Sequence, residues 1–139
     1  MSKFSTTVLT AAMVLATGAA AATATDYTAI REDTHIHARL LAASKAYLIA
    51  DTCPTIKERK FYLISQGLKL QSYARRLGYT NKEISAYVDD KTEQARFRAV
   101  AEPWVAAKGA VMGDADSYCA VGRAEIEMKT DVGAFLRTN

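Results

Sequence analysis

The sequence predicts an all-α fold, a compact bundle of five to six helices tied by a disulfide between Cys53 and Cys119. Three observations carry that prediction. From Asp33 onward apolar residues recur at helical spacing. Pairs with the spacing of a capping box, Thr55/Glu58, Thr80/Glu83 and Asp90/Glu93, mark successive helix starts. No segment alternates apolar and polar residues as a strand does, and no repeat or low-complexity stretch interrupts the pattern.

The elements follow in order. A single positive charge at Lys3 precedes a run of apolar and small residues from Phe4 to about Ala22, the pattern of a secretory signal peptide. Ala22-Thr23-Ala24 offers a cleavage site after Ala24, with Ala22 as the alternative. The dense apolar part covers about a dozen residues, short of the roughly 20 that cross a bilayer, so cleavage and not anchoring is expected. Removing 24 residues from 139 leaves 115, enough for one domain over 25–139. No other stretch approaches membrane-spanning length.

Residues 25–32 show no clear period and read as a frayed lead-in. Asp33 or Thr34 caps a first helix running to Asp51 through Ile36, Leu40, Leu41, Tyr47 and Leu48. It ends near Cys53 because Pro54 disfavours the helical conformation before it. Thr55 and Glu58 open the second helix, which stops at Leu77 before Gly78. Along it Ile56, Leu63, Leu70 and Leu77 fall seven apart with Gly67 and Ala74 on the same side, a stripe suited to a close neighbour in the bundle. Thr80/Glu83 start a short third helix to Asp89. Asp90/Glu93 start a fourth, carrying Phe97, Val100, Ala101 and Trp104, and Pro103 is expected to kink it near Ala99 or break it at Glu102. Gly109 and Gly113 frame a connection, Asp114 or Asp116 caps a fifth helix with Tyr118, Cys119, Gly122 and Ile126, and a last turn covers 132–136.

Two cysteines in an exported chain of this size permit one pairing, and an oxidising compartment favours it. They lie too far apart for a Cys-x-x-Cys redox pair. The formal charge of +3 falls to +2 without Lys3, too near neutral to argue for nucleic acid. Charge is unevenly spread, however. Residues 56–78 hold Lys57, Arg59, Lys60, Lys69, Arg75 and Arg76 against Glu58, whereas 114–131 hold five acids against Arg123 and Lys129. The second and fifth helices are therefore expected to orient one another as neighbours. The functional alternative makes Lys57, Lys60, Lys69, Arg75 and Arg76 a surface for an anionic partner.

Chemistry is poorly represented. His35 and His37 point about 200° apart on a helix and cannot readily share a metal ion. Asp114, Asp116 and Ser117 open like a calcium loop, but Cys119 stands where that loop needs glycine, Glu125 alone does not rescue the motif, and N-capping accounts for them better. Asp89 and Asp90 read as helix stop and start. With no Gly-x-Ser-x-Gly turn, free thiol, haem motif or phosphate-binding glycine loop, neither enzyme activity nor a cofactor is expected.

Asp51-Thr52-Cys53-Pro54, the run from Ala74 to Thr80, Asp89-Asp90 and above all the run from Gly113 to Ile126 resemble an uncharacterised family of small exported alphaproteobacterial proteins, a domain of unknown function. The resemblance implies export to a Gram-negative periplasm, a helical fold and paired cysteines, and implies no activity. Two functions from different classes follow. The first is a non-catalytic interaction or accessory protein binding an unknown periplasmic protein. The second is a carrier of a small apolar molecule or lipid, with a pocket opened at Pro103 and lined by Phe97, Trp104 and residues of the second helix.

Overall fold

A computed structural model describes residues 23–139. The expected leader, residues 1–24, lies outside the described residues except for Thr23 and Ala24. Among the described residues no helix is long and apolar enough to cross a membrane.

The fold is all-α. Among the described residues there are six helices, α1 (Thr28–Glu32), α2 (Thr34–Thr52), α3 (Lys60–Arg76), α4 (Asn81–Asp89), α5 (Lys91–Ala107) and α6 (Ala115–Glu127), with a two-stranded antiparallel sheet of β1 (Ile56–Glu58) and β2 (Leu136–Thr138), and a 3-10 turn spanning Gly133–Phe135. Cys53 and Cys119 are bonded, with Cα atoms 5.1 Å apart.

Local chemistry sets most helix starts. Asp33 accepts from the Ile36 amide, Thr80 and Glu83 complete a capping box, and Asp114 accepts from the Asp116 and Ser117 amides. Asp90 performs only half of its expected box. Its carboxylate accepts from the Glu93 amide, but the Glu93 side chain turns away to Arg31.

Four expectations fail for physical reasons. Residues 25–32 are not frayed: α1 buries Ile30, and Tyr27 stacks on Tyr79 at 5.8 Å and tilts against Tyr87 at 5.1 Å. Thr55 and Glu58 do not open a helix. Glu58 lies on β1, and the Thr55 hydroxyl sits 3.4 Å from the Cys53 sulfur and 3.6 Å from that of Cys119. The backbone here takes partners from the chain terminus: Lys57 pairs with Arg137, and the Arg59 amide donates to the Phe135 carbonyl at 2.7 Å. The break expected at Glu102 does not occur: α5 runs unbroken through Pro103, because Pro103 and Ala99 face solvent, where water replaces the lost hydrogen bond. Finally, α6 packs on α2, the strands and the 3-10 turn, and among the described residues no ion pair joins α3 to α6.

The main core gathers Ala46, Ile49, Cys53, Ile56, Val105, Cys119, Val121, Phe135 and Leu136 where α2, α5, α6 and the sheet meet. Gly122 lets α6 approach closely: a Cβ there would stand 2.5 Å from Ile56 Cδ1. At its edge Glu125, 1 % exposed, accepts from the Thr130 hydroxyl. Lys108 Nζ stands 3.1 Å from the other carboxylate oxygen but off the hydrogen-bonding direction, so that contact is purely ionic.

Candidate functional site

A second, smaller core of Ile30, Ile36, Ala74 and Tyr87 lies toward the start of α2, and beside it the bundle leaves a groove of about 940 Å3. Its floor is α2, through Ile36, Leu40, Ala43 and Tyr47. One wall is α3, through Leu63, Gly67, Leu70 and Ala74, and the other is α5, through Gln94, Phe97, Arg98 and Ala101. On each helix these positions recur three and four apart, so one face of each supplies the lining. The pairs Asp33–Tyr73, His37–Phe97 and Lys45–Trp104 show that α3 runs antiparallel and α5 parallel to α2.

Leu63, Gly67, Leu70 and Ala74 belong to the stripe expected to meet a close neighbour. Instead the Gly67 position has open space, with nothing within 4 Å of a Cβ built there. Ile56 has moved to β1, and Leu77 is exposed as the α3 C-cap. Of α3 only Ala74 is fully buried, while Phe61, 90 % exposed, Ile64 and Leu68 project outward from it.

The groove is blind at one end. There α1 contributes Ile30 and α4 contributes Ile84, Tyr87 and Val88. Hydrogen bonds hold this plug: Tyr27 Oη donates to the Glu83 carbonyl at 2.9 Å, Tyr79 Oη to the Asp26 carbonyl at 2.7 Å, and Tyr73 Oη to Asp33 at 2.9 Å. Two charged groups line that end, Lys91 and Glu93, and Glu93 is 5 % exposed and accepts from Arg31 Nε at 2.8 Å.

At the other end Tyr47 lines both the groove and a second cavity of about 430 Å3. This cavity presents Lys57, Lys60, Arg137 and Asn139, with Asp51 and Glu58 beside them.

A family model, that of a family of unknown function, DUF5333, matches residues 28–137. The chain belongs to DUF5333. No curated protein and no solved structure matches it. The DUF5333 match runs from the plug helix α1 to Arg137, so both cavities and both cysteines fall within it.

Electrostatics within the DUF5333 domain follow from burial. Removal from water pushes the Tyr87 phenol up to about 12, with the Glu93 charge adding to the effect. Asp33 is held below the usual carboxylate range by the Ile36 amide and then by Tyr73, and burial raises Glu58. Glu93 is paired to Arg31, and Lys91, also in the lining of that end, donates to the Gln94 side chain at 3.2 Å.

The residues singled out from sequence scatter in instructive ways. Phe97 lines the groove, but Trp104 lies outside its lining, packed against the main core with Lys45 Nζ 4.5 Å and Lys108 Nζ 5.3 Å from its ring centre. His35 rests on Tyr73 and His37 on Phe97, against different helices. Lys57, Lys60, Lys69, Arg75 and Arg76 are all exposed. They form no single strip, because Lys57 is on β1 and the rest spread over about half the circumference of α3. Sequence reasoning missed Tyr47 and Arg137 as site residues. Tyr47 was detectable as the fourth member of the 36, 40, 43, 47 series, whereas Arg137 reaches the site only through strand pairing.

Proposed function

We propose that this protein is a non-catalytic, exported binding protein of an oxidising compartment such as the Gram-negative periplasm, and that its α2–α3–α5 groove takes an apolar ligand lengthwise. The observation that carries the reading is the blind apolar groove left open at Gly67. Its volume falls in the range of small-molecule sites, and apolar helix faces line most of it. A docked partner helix, about 10–12 Å across with its side chains, normally runs on past its groove; the plug formed by α1 and α4 closes that path. The leader-like amino terminus and the buried disulfide support export. Docking of a partner protein is the second reading, favoured by the outward apolar residues Phe61, Ile64 and Leu68 on a helix that carries four cations and no acid.

Titration of the purified protein with the apolar fluorophore N-phenylnaphthylamine tests the first reading. Saturable binding is expected, and Gly67→Phe should abolish it without loss of helix content, since the new ring enters empty space. Gly67→Ala should bind weakly and unfold about 1 kcal/mol later, because alanine suits a helix interior better than glycine. Absence of saturable binding, or equal binding by wild type and Gly67→Phe, would refute the proposal.

A further inference from the structure

We infer that the ligand is a single-chain anionic amphiphile, its acid head held by Lys57, Lys60 and Arg137 and its tail lying along α2 from Tyr47 to Ile36. This inference rests on the groove reading and adds the chemistry of the ligand. Tyr47 lines both cavities, so a molecule filling the groove from its blind end has its last atoms beside the residue that borders the cationic cavity. Three cations from three elements converge there: Lys57 on β1, Lys60 at the first position of α3 and Arg137 on β2.

The strand register makes this convergence costly without an anion. Lys57 and Arg137 are direct partners across β1 and β2, and like charges facing each other across an antiparallel pair destabilise it. Among the described residues none of the three cations is ion-paired, although Asp51 and Glu58 line the same cavity. Among the lining side chains those two acids leave one of the three positive charges uncompensated. An acid head group seated between the Lys57 and Arg137 side chains would relieve the repulsion.

The groove also sets the tail length. Ile36 and Tyr47 are eleven positions apart on one helix face, about 17 Å of axial rise. An extended alkyl chain with bonds near 1.52 Å and angles near 111° advances about 1.25 Å per carbon, so roughly 13 carbons span it.

Displacement of N-phenylnaphthylamine by a defined ligand series tests the inference. The series is tetradecanoate, tetradecanol, a tetradecyl lysophosphatidic acid, and decanoate and octadecanoate as shorter and longer acids, each below its micellar concentration. Tetradecanoate or the lysophosphatidic acid should bind at least about tenfold more tightly than tetradecanol, the worth of a charge-assisted contact. Whichever of the two acids binds better identifies the head group, and decanoate and octadecanoate should both be weaker than tetradecanoate. Lys57→Gln with Arg137→Gln should bring the acids to the affinity of the alcohol and leave the alcohol unchanged. Equal affinity of acids and alcohol in wild type, unmoved by these substitutions, would overturn the head-group assignment while leaving the groove occupied. Failure of every ligand, and of the fluorophore itself, would overturn the groove reading and this inference with it.

Discussion

Replacing both cysteines by alanine should cost this fold about 4 kcal/mol or slightly more. The bridge joins the C-cap of α2 to the second turn of α6 across a sequence separation of 66. Releasing a loop of that length restores to the unfolded chain an entropy worth about 4 kcal/mol on the loop-closure estimate. Both cysteines are buried, so the small void left by the sulfurs adds to the loss. A domain of this size unfolds with an entropy of about 0.24 kcal/mol per kelvin, which converts the loss into a fall in Tm of about 15–20 °C. Helix content at low temperature should survive, because Gly122 still seats α6 against Ile49 and Ile56 without the bond. Thermal unfolding followed by far-ultraviolet circular dichroism, for wild type, the double alanine variant and reduced wild type, measures the difference. A fall below about 5 °C would refute the reasoning, since it would mean that the unfolded chain gains little freedom when the tie is cut. Loss of helix signal at low temperature would refute the claim that α6 is held independently.

Two further outcomes follow from close approach and from burial. Gly133→Ala would place a Cβ 2.0 Å from the Glu125 carbonyl oxygen, a backbone clash that no rotamer relieves, and should cost about 3 kcal/mol or more; Gly122→Ala meets the side chains of Ile56 and Ile49, which can shift, and should cost less. Denaturant unfolding of both variants checks the order. For Tyr87 the folded state keeps the phenol protonated up to about pH 12 while the unfolded chain releases the proton near 10. The folded state therefore binds more protons between those values, and stability should fall by about 2 kcal/mol as pH rises through that window. Denaturation midpoints across the range, with Tyr87→Phe as the variant that flattens the slope, test the sign.

Much of this fold was legible because its signals are local. A cap needs one side chain and an amide two or three residues on, so Asp33, the Thr80/Glu83 box and Asp114 were visible as helix starts before any tertiary contact was known. The disulfide was equally legible, since two cysteines admit one pairing. Thr55/Glu58 has the same local spacing and misled. The extended backbone at 56–58 is stabilised by residues 136–138, and no local window contains that competition. For the same reason Arg137 carried no site signal, and residues 25–32, lacking a period of their own, gave no hint that Tyr27 and Ile30 are gripped from α3 and α4.

By itself the sequence determined the helical class, the order of the long helices, the corner at Pro54 and the identity of the covalent tie, because each depends on backbone preferences and residue types within a few positions or on an unambiguous pairing. Only the tertiary structure decided what the stripe of α3 does. The spacing of Leu63, Gly67, Leu70 and Ala74 is the same whether a neighbour packs against it or stands away. Here Leu63, Leu70 and Ala74 pack against the two cores while α3 stands away at Gly67, because β1 and β2 position its start, the plug formed by α1 and α4 positions its end, and nothing described fills the interval above α2. A helix face records that it is apolar; the distance to the next helix is set by contacts at both its ends, and that distance makes the difference between a core seam and a groove.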